Sequence, residues 1–325
     1  MRVNNKDLIQ SYIITSAKYD YSVYEKRILY RLIELFQHLT KGEKLNEKIN
    51  VAKDLFDVSI VTMPISMFLN GEEDKNHSRV KSALSSLAKK FFEYEDDRTW
   101  ELISVISEPK IDKYEENTTF RINSKIVGAF LDFSKGFSKY ELVTAMKFES
   151  VYSMRFYELL SGQKKPISYS IDKLKIMFKI EDKYQDRPSD FIKYVVTPAK
   201  KELDKSAPYS FEYIPIKQGR KIVSIKFYPV YQPSNRDGSI EAKKLQKSTS
   251  LRFDLDKIII DYLKQNYVFS EEEIQNNREL FISAVNSKDF DLLYFLSEQR
   301  VNASTKKNPK GWIINSIKKQ LAQLE

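Results

Sequence analysis

The sequence predicts an α+β protein made of two similar units in tandem, followed by a small helical C-terminal region. A basic helix followed by two strand-like runs occurs twice, over residues 78–122 and 189–230. The pattern Ser-Val-Tyr-x-x-Arg also occurs twice, at Ser22–Arg27 and at Ser150–Arg155, with an offset of 128 residues. A motif that recurs in step with the surrounding elements indicates an internal duplication.

The first unit is predicted to open with a helix over residues 22–39. Ile28, Leu32 and Leu35 recur there on one face, at the 3.6-residue period of a packed helix. The elements predicted to follow are a strand (Val58–Met63), a short helix (Ile65–Leu69) and a long basic helix (Ser78–Phe92). Two hairpin strands (Trp100–Ile106 and Thr118–Ile122), joined by the polar span 107–117, and a connecting helix (Ile126–Phe133) complete the unit.

The second unit repeats this order of elements. Its opening helix begins near Val151. A middle helix, a basic helix and two hairpin strands are predicted to follow at Ile171–Phe178, Phe191–Leu203, Phe211–Ile216 and Lys221–Val230. Gly219 lies in the predicted hairpin turn, where its conformational freedom suits the backbone.

The basic helix of the second unit has one apolar face. Phe191, Val195, Ala199 and Leu203 recur every four residues and are expected to face the core, whereas most of the lysines lie on the other side. Pro198 has no N–H to donate, and its ring clashes with the preceding turn of a regular helix. We therefore expect either a kink just before this proline or a helix that restarts there.

The order of helix, short elements, helix and hairpin is that of a winged helix, a variant of the helix-turn-helix. Such a unit can lay its basic helix in the DNA major groove and its hairpin on the adjoining backbone. The predicted organisation is a first winged-helix domain over residues 1–140, a second over 141–235, a linker over 236–250 and a helical region over 251–325.

The charge distribution favours a polyanionic partner. The chain has a formal net charge of +9. Residues 1–150 hold 23 basic and 23 acidic side chains, residues 151–235 hold 16 and 9, and residues 236–325 hold 15 and 13. Lysines that merely solvate a surface would not be expected to concentrate in one segment. The excess in the second unit therefore predicts that it is the main DNA-reading domain.

Composition and motifs argue against other classes of protein. The chain has no cysteine, which excludes thiolate zinc sites and disulfides and suits a reducing cytoplasm. No apolar run approaches the roughly 20 residues that span a membrane. The N-terminal segment lacks the apolar core of a signal peptide. We expect a cytoplasmic protein.

The sequence offers little support for an enzyme. His38 and His77 are the only histidines, so the paired metal-binding histidines of a rolling-circle nickase are missing, and there is no phosphate-cradling Gly-x-x-x-x-Gly-Lys stretch. Asp254/Asp256 and Asp289/Asp291 could be metal carboxylates, but each pair precedes an apolar helical run that an aspartate can cap. We expect no catalytic residue, no metal and no cofactor.

The chain resembles the two-winged-helix replication initiators of iteron-containing, theta-replicating bacterial plasmids. The similarity rests on four stretches, Tyr21–Tyr30, Ser153–Leu160, Asp190-Phe191 with Val196–Glu202, and Gly219–Lys221. It covers roughly residues 5–230, and residues 236–325 match the family less well.

The resemblance implies a function and a set of DNA contacts. Such proteins bind directly repeated origin sequences, called iterons, as monomers, help to melt an AT-rich segment and recruit host replication proteins. As dimers, in the absence of origin DNA, they often repress their own promoter. The predicted DNA-binding residues are Arg79, Lys81, Ser82, Lys89 and Lys90 in the first unit and Ser189, Lys193, Tyr194, Thr197, Lys200, Lys201, Lys205, Lys217, Arg220 and Lys221 in the second.

The C-terminal region leaves two interpretations open. Residues 232–239 are typical of a linker, Ser270–Glu273 is a capping box, and residues 308–319 form a short amphipathic helix. The region is either a docking module for a host replication protein or a second protomer, or a small subdomain that packs on itself.

Two other functions remain compatible with the sequence. A transcriptional repressor with a duplicated winged helix would explain the DNA-binding features without the C-terminal region. A scaffold that uses winged helices as protein adaptors would need no DNA at all. Binding to any DNA duplex separates these two, and replication of an origin separates both from an initiator.

Overall fold

The computed structural model describes residues 5–16, 18–40, 45–71, 74–95, 99–133, 136–184, 187–242, 255–287 and 289–323. The chain divides into two compact bodies. The N-terminal body comprises Met1–Leu39 and Lys44–Asp237, and the C-terminal body comprises Thr40–Glu43 and Gly238–Glu325. Both winged helices therefore belong to one body.

The first winged helix is built around one buried helix. This helix, α2 (Val23–Thr40), is enclosed on almost every side, with Ile28, Leu29 and Leu32 fully buried. The helices and strands, in chain order, are β1 (Asp7–Ser11), α1 (Tyr12–Thr15), α2 (Val23–Thr40), β2 (Asn50–Lys53), β3 (Ser59–Pro64), a 3-10 turn (Ile65–Phe68), α3 (His77–Leu87), β4 (Phe91–Glu95), β5 (Trp100–Ser104), β6 (Ser107–Asp112), β7 (Asn117–Ile122) and α4 (Ser124–Leu131).

The second winged helix follows the same plan with a longer hairpin. Its elements are β8 (Phe137–Glu141), α5 (Leu142–Lys147), α6 (Val151–Leu160), β9 (Ile167–Ser170), α7 (Ile171–Phe178), α8 (Pro188–Phe191), a π-helical turn (Ile192–Val196), α9 (Thr197–Ser206), β10 (Tyr209–Gln218), β11 (Lys221–Tyr231) and a 3-10 turn (Pro233–Asn235). Helix α6 packs against α9 and β10, so it is the central helix of this domain.

The structure confirms the predicted opening helix of the first unit and the predicted helices and strands of the second unit. The predicted hairpin of the first unit is wrong. Helix α3 ends at Leu87, not at Phe92, because Phe91 begins β4. Strand β5 pairs with β4, whereas β7 pairs with β3 and β6. The polar span 107–117 thus contains a strand, β6, which has few apolar residues because it lies at the edge of the sheet order β2-β3-β7-β6.

The two winged helices meet around a local two-fold axis. Strands β1 and β8 pair antiparallel, with Gln10 opposite Ser138. On the helices, the Tyr30 hydroxyl donates a 2.6 Å hydrogen bond to the Glu158 carboxylate. The partners in each pair are 128 residues apart, which is the offset of the repeated motif. Equivalent residues touch each other only beside a two-fold axis, so the axis passes near both pairs.

A buried ion pair lies at this helix crossing. The ammonium of Lys26 is 2.6 Å from the carboxylate of Glu158, and both side chains are fully buried. Burial lowers the pKa of Lys26 to about 8, although the carboxylate opposes this shift. The Lys26 ammonium also lies 5.2 Å and 5.1 Å from the ring centres of Tyr21 and Tyr30. The positive charge on α2 is thus neutralised by a carboxylate of the matching helix α6.

The arginines of the repeated motif cross between the two domains. Arg27 donates from Nε to the carbonyl of Met146 at 2.9 Å, and Arg155 donates from Nη2 to the carbonyl of Thr15 at 3.2 Å. Each carbonyl belongs to the short helix that precedes the other domain's central helix. This exchange and a continuous apolar core join the two domains.

The division of the N-terminal body into domains at residues 140 and 141 therefore stays a prediction. That boundary falls inside β8, which is paired along its length with β1. The side chain of Arg236 further joins the ends of both domains, since it lies 2.8 Å from Asp7 and 2.9 Å from Glu141. Separate expression of the halves would break these contacts.

The C-terminal body is helical. Its helices, counted after α9, are α10 (Lys257–Tyr267), α11 (Glu271–Asn276), α12 (Arg278–Asn286), α13 (Leu292–Ser304) and α14 (Pro309–Ala322). Side chains of Asp256, Ser270 and Asp291 accept hydrogen bonds from the first turns of α10, α11 and α13, which confirms the predicted caps. Asp254 and linker residues 243–250 lie outside the described residues.

No helix within the described ranges combines the length and the apolarity that crossing a bilayer requires.

Candidate nucleic-acid interface

The basic helical run of the second winged helix extends from Pro188 to Ser206, with a π-helical turn in its middle. The N–H of Thr197 donates to the carbonyl of Ile192, five residues back. Pro198 follows directly and has no N–H, so a regular α-helical ladder would be interrupted at this point. The wider π turn accommodates that interruption. The expected irregularity before Pro198 is confirmed, and it takes the form of a π turn.

One face of this helical run is anchored in the core. Phe191, Val195, Ala199 and Leu203 are all buried, as the four-residue spacing predicts. The π turn adds Val196 to the buried set. The opposite face is therefore held rigidly toward solvent, since rotation of the helix would expose these apolar side chains.

The solvent face presents cations and one aromatic ring. Lys193, Tyr194, Lys201 and Lys205 are exposed, as is Ser189 near the start of the run. None of these three lysines forms an ion pair within the described part of the chain. The Lys193 ammonium lies 5.0 Å from the centre of the Tyr194 ring. Free ammonium groups beside an exposed ring suit phosphates and base edges.

Two predicted contacts in this helix are occupied within the protein. The ammonium of Lys200 lies 2.6 Å from Asp204 and 2.8 Å from Glu212. Burial alone would lower the pKa of Lys200, but these two carboxylates raise it above its usual value. The Thr197 hydroxyl shares a 3.0 Å hydrogen bond with the Tyr213 hydroxyl. Both side chains thus fix the helix to strand β10.

The hairpin of the second winged helix extends beside this helix. Strands β10 and β11 pair over ten residues, with an irregularity between Ile216 and Lys217. Gly219 adopts a φ of +60° in the turn, a conformation that favours glycine. Lys217, Arg220 and Lys221 surround the turn, are exposed and form no ion pair within the described ranges. A phosphate backbone could approach this tip freely.

Helix α3 of the first winged helix is the matching element. Val80, Ala83, Leu84 and Leu87 face the core. Arg79, Lys81, Ser82 and Lys89 are exposed, and the Ser82 hydroxyl donates to the carbonyl of Ser78. The loop before the helix is fixed by Asp74, which accepts hydrogen bonds from Tyr24, Asn70 and Asn76.

Lys90 differs from the other predicted contacts of the first winged helix. Its ammonium lies 2.7 Å from Glu25 and 3.6 Å from Asp20, and its side chain is largely buried. An ammonium that is neutralised in this way has little attraction left for a phosphate. Lys90 and Lys200 thus contribute to the fold. In the part of the chain that the structure describes, the other nine predicted cations form no ion pair: Arg79, Lys81, Lys89, Lys193, Lys201, Lys205, Lys217, Arg220 and Lys221.

The hairpin after α3 has the opposite character. Residues 91–104 contain five acidic side chains and one basic side chain. Phe91, Trp100 and Leu102 are exposed on this ribbon, with Leu102 opposite Glu93 and Trp100 opposite Glu95. The sequence of this hairpin is thus acidic, whereas that of the second hairpin is basic, and a negative charge is unfavourable near phosphates.

Two aromatic side chains near the second helix were missed by sequence reasoning. Tyr184 stacks on Tyr194, with ring centres 6.4 Å apart and planes inclined by 20°. Tyr213 holds Thr197. The alternation along β10 could have indicated that Tyr213 lies beside the helix. No signal in the sequence points to Tyr184, whose loop position depends on tertiary packing.

No three His, Asp or Glu side chains converge into a possible metal-binding group among the described residues.

Two family comparisons agree with this architecture. The first winged-helix domain of the initiator replication proteins (Initiator Replication protein, WH1) matches residues 7–161. The second winged-helix domain of the same proteins (Initiator Rep protein, WH2) matches residues 170–229. Together the matches cover the central helices α2 and α6. They also cover both basic helices and the second hairpin, where the unpaired cations lie. The chain belongs to the family of plasmid replication initiator proteins, DNA-binding proteins with two winged-helix domains.

Proposed function

We propose that this protein initiates plasmid replication by binding directly repeated origin sequences, with both winged helices of a monomer on one DNA duplex. The observation that supports this proposal most is a set of nine cations, on or beside the two basic helices and on the second hairpin, that form no ion pair with any described residue. Phosphate contacts by such groups supply affinity and make it salt-dependent. The shared core would hold both helices in a fixed relation to the duplex.

The two domains have different roles in this proposal. The second winged helix supplies most of the affinity, because its helix and hairpin can contact phosphates on both sides of one major groove. Tyr194 and Ser189, at the exposed N-terminal part of its helical run, are the proposed base-reading side chains. The first winged helix contacts the other half of the site through α3 alone.

Further steps of initiation belong to the same proposal. The bound protein would help to open an adjacent AT-rich segment and would recruit host replication proteins. A dimer would repress the protein's own promoter. Each of these steps requires binding energy only, so we propose that the chain performs no covalent chemistry itself.

The decisive experiment is complementation. A plasmid that carries the origin but lacks an initiator gene should replicate when this gene is supplied in trans, and a variant with Lys217, Arg220 and Lys221 all changed to alanine should fail. If the intact gene represses its promoter but does not support replication, the protein is a repressor with a duplicated winged helix.

A footprint tests the arrangement on DNA. Successive major grooves on one face of a duplex lie about 10 bp apart, so a monomer that uses both domains should protect about two turns. Protection of one turn or less would contradict joint binding and would leave the first winged helix as a dimerisation or packing domain.

A further inference from the structure

The charges of the C-terminal body are segregated along the chain. Residues 255–298 contain nine acidic and four basic side chains. Residues 299–323 contain six basic side chains and no acidic one. The basic part comprises the last turn and a half of α13, the connecting turn and the whole of α14. The sum of the charges in this body is nearly neutral, but its last described segment, residues 299–323, is strongly cationic.

The cationic segment folds as a helical hairpin. Residues 305–308 separate α13 from α14, the two helices pack together, and the side chain of Asn308 accepts a hydrogen bond from the N–H of Gly311. A Cβ atom at Gly311 would lie 2.7 Å from the Asn308 amide nitrogen, so any other residue at this position would have to displace the Asn308 cap. Two helices joined by a short, fixed turn have the general form of a helix-turn-helix.

The second helix of the hairpin has one buried face and one cationic face. Ile313 and Ile317 are fully buried. Asn315, Lys318 and Lys319 are exposed on the opposite side of α14. This orientation is fixed because rotating the helix would bring both isoleucines into water.

Four lysines form what we call the C-terminal basic face. Lys306 and Lys307 are exposed in the turn before α14, and Lys318 and Lys319 are exposed near its end. None of the four ammonium groups is in an ion pair within the described residues. Lys310 differs, since it lies 2.7 Å from Glu273. From the start of α14 to Lys319 the helix rises roughly 15 Å, which corresponds to about four phosphates along one DNA strand.

We propose that the C-terminal basic face binds the phosphate backbone of nucleic acid and so provides a third DNA contact, distinct from the two winged helices. Lysine is a point charge suited to phosphates, and the face has no arginine fork for a guanine edge, so the contact is independent of sequence. The absence of acidic residues from 299–323 distinguishes this face from an ordinary solvated surface, which mixes both signs.

Trp312 provides a direct readout. It lies within α14, and the Lys306 ammonium is 5.8 Å from the centre of its ring. The chain has only one other tryptophan, Trp100. In a full-length Trp100→Phe protein, nucleic acid bound at this face should therefore change the emission of Trp312 by drawing Lys306 away from the ring.

The experiment uses that full-length protein with a random-sequence duplex and, separately, with a single-stranded oligonucleotide. Affinity is measured from 50 to 200 mM salt for the parent and for a variant with Lys306, Lys307, Lys318 and Lys319 changed to alanine. Each lost phosphate contact reduces the salt slope by up to about 0.9, so four contacts should reduce the loss of affinity over this range by about a hundredfold. A loss on duplex alone or on single strands alone identifies the form of nucleic acid that is bound.

A matched control separates contact from net charge. Lys257 is exposed on α10 and Lys264 is paired with Glu271 at 2.6 Å, so changing both to alanine removes two charges from the same body away from the basic face. The control variant should change the salt slope much less than the variant with Lys318 and Lys319 changed to alanine. A variant with arginine at both Lys318 and Lys319 should keep the salt slope of the parent. Equal effects of the two pairs, or an unchanged slope with a silent Trp312 on both nucleic acids, would overturn the proposal. Neither probe contains an origin sequence, so the result does not depend on the proposed initiator function.

Discussion

The two winged helices have the same order of elements but hairpins of opposite charge. Residues 91–104 of the first contain five acidic groups and one basic group, whereas residues 209–231 of the second contain one acidic group and four basic groups. The helices that precede these hairpins both present cations that form no ion pair within the described ranges. The difference favours the second hairpin, and not the first, as the one that contacts DNA.

The helices at the two-fold axis also differ in charge between the two copies. At equivalent positions, Lys26 in the first copy corresponds to Met154 in the second, and Tyr30 corresponds to Glu158. The charged residue of each pair lies in a different copy, and the two meet as a buried ion pair. We therefore expect each copy to depend on the other for its stability.

The largest expected effect is on stability, from removing one half of that pair. Glu158→Ala leaves the Lys26 ammonium buried without a counter-charge, so the free energy of unfolding should fall by about 3–5 kcal/mol. Adding Lys26→Met, which introduces the residue of the other copy, should restore most of the loss. Urea denaturation of the single and double variants measures both changes. A single variant as stable as the parent would show that the copies do not depend on this pair.

The second-largest expected effect is on the salt dependence of DNA binding, and it tests the contrast between the two hairpins. Changing Lys217, Arg220 and Lys221 to alanine removes up to three phosphate contacts and should lower the salt slope by up to about 2.7. The loss of affinity between 50 and 200 mM salt would then shrink by roughly 40-fold. Salt-titrated DNA binding provides the measurement. As the control, Trp100→Ala with Leu102→Ala in the first hairpin should leave the slope unchanged, and a comparable change there would remove the contrast.

A smaller effect distinguishes neighbouring lysines on one helix. Lys201→Ala should lower the salt slope by up to about 0.9, which is roughly a three- to fourfold change over the same range. Lys200→Ala should leave the slope unchanged, because the Lys200 ammonium is already paired with Asp204 and Glu212. Equal losses from the two substitutions would mean that Lys200 exchanges its internal partners for phosphate.

The smallest effect concerns how the first copy fixes its basic helix. Burial alone would raise the pKa of Asp74, but hydrogen bonds from Asn70, Asn76 and Tyr24 lower it to about 2, from 3.8. A lowered pKa means that the carboxylate stabilises the fold above about pH 4 and loses this effect as the pH falls toward 2. Asp74→Asn should therefore lower the melting temperature at neutral pH, and the difference from the parent should fade over that acidic range. A difference that stays constant down to pH 2 would contradict this role.

The sequence predicted the features that depend on local periodicity and composition. The buried face of the helix with Phe191 and Leu203 followed from their spacing, and the hairpin around Gly219 followed from its two strand-like flanks. The hairpin of the first copy could not be predicted, because β6 is a polar edge strand whose pairing is set by its neighbours. The internal partners of Lys90 and Lys200 were also beyond reach, since Glu25 and Glu212 become their neighbours only in the folded chain.

The two-fold axis between Gln10 and Ser138 lies within one chain, so the pairing of the two copies does not depend on protein concentration. Two separate winged-helix proteins that met around such an axis would dissociate as their concentration fell, and each would then read half a site. Fused in one chain, the copies face each other at an effective concentration on the order of millimolar, however few molecules a cell contains. The chain can therefore present both basic helices together without an assembly step.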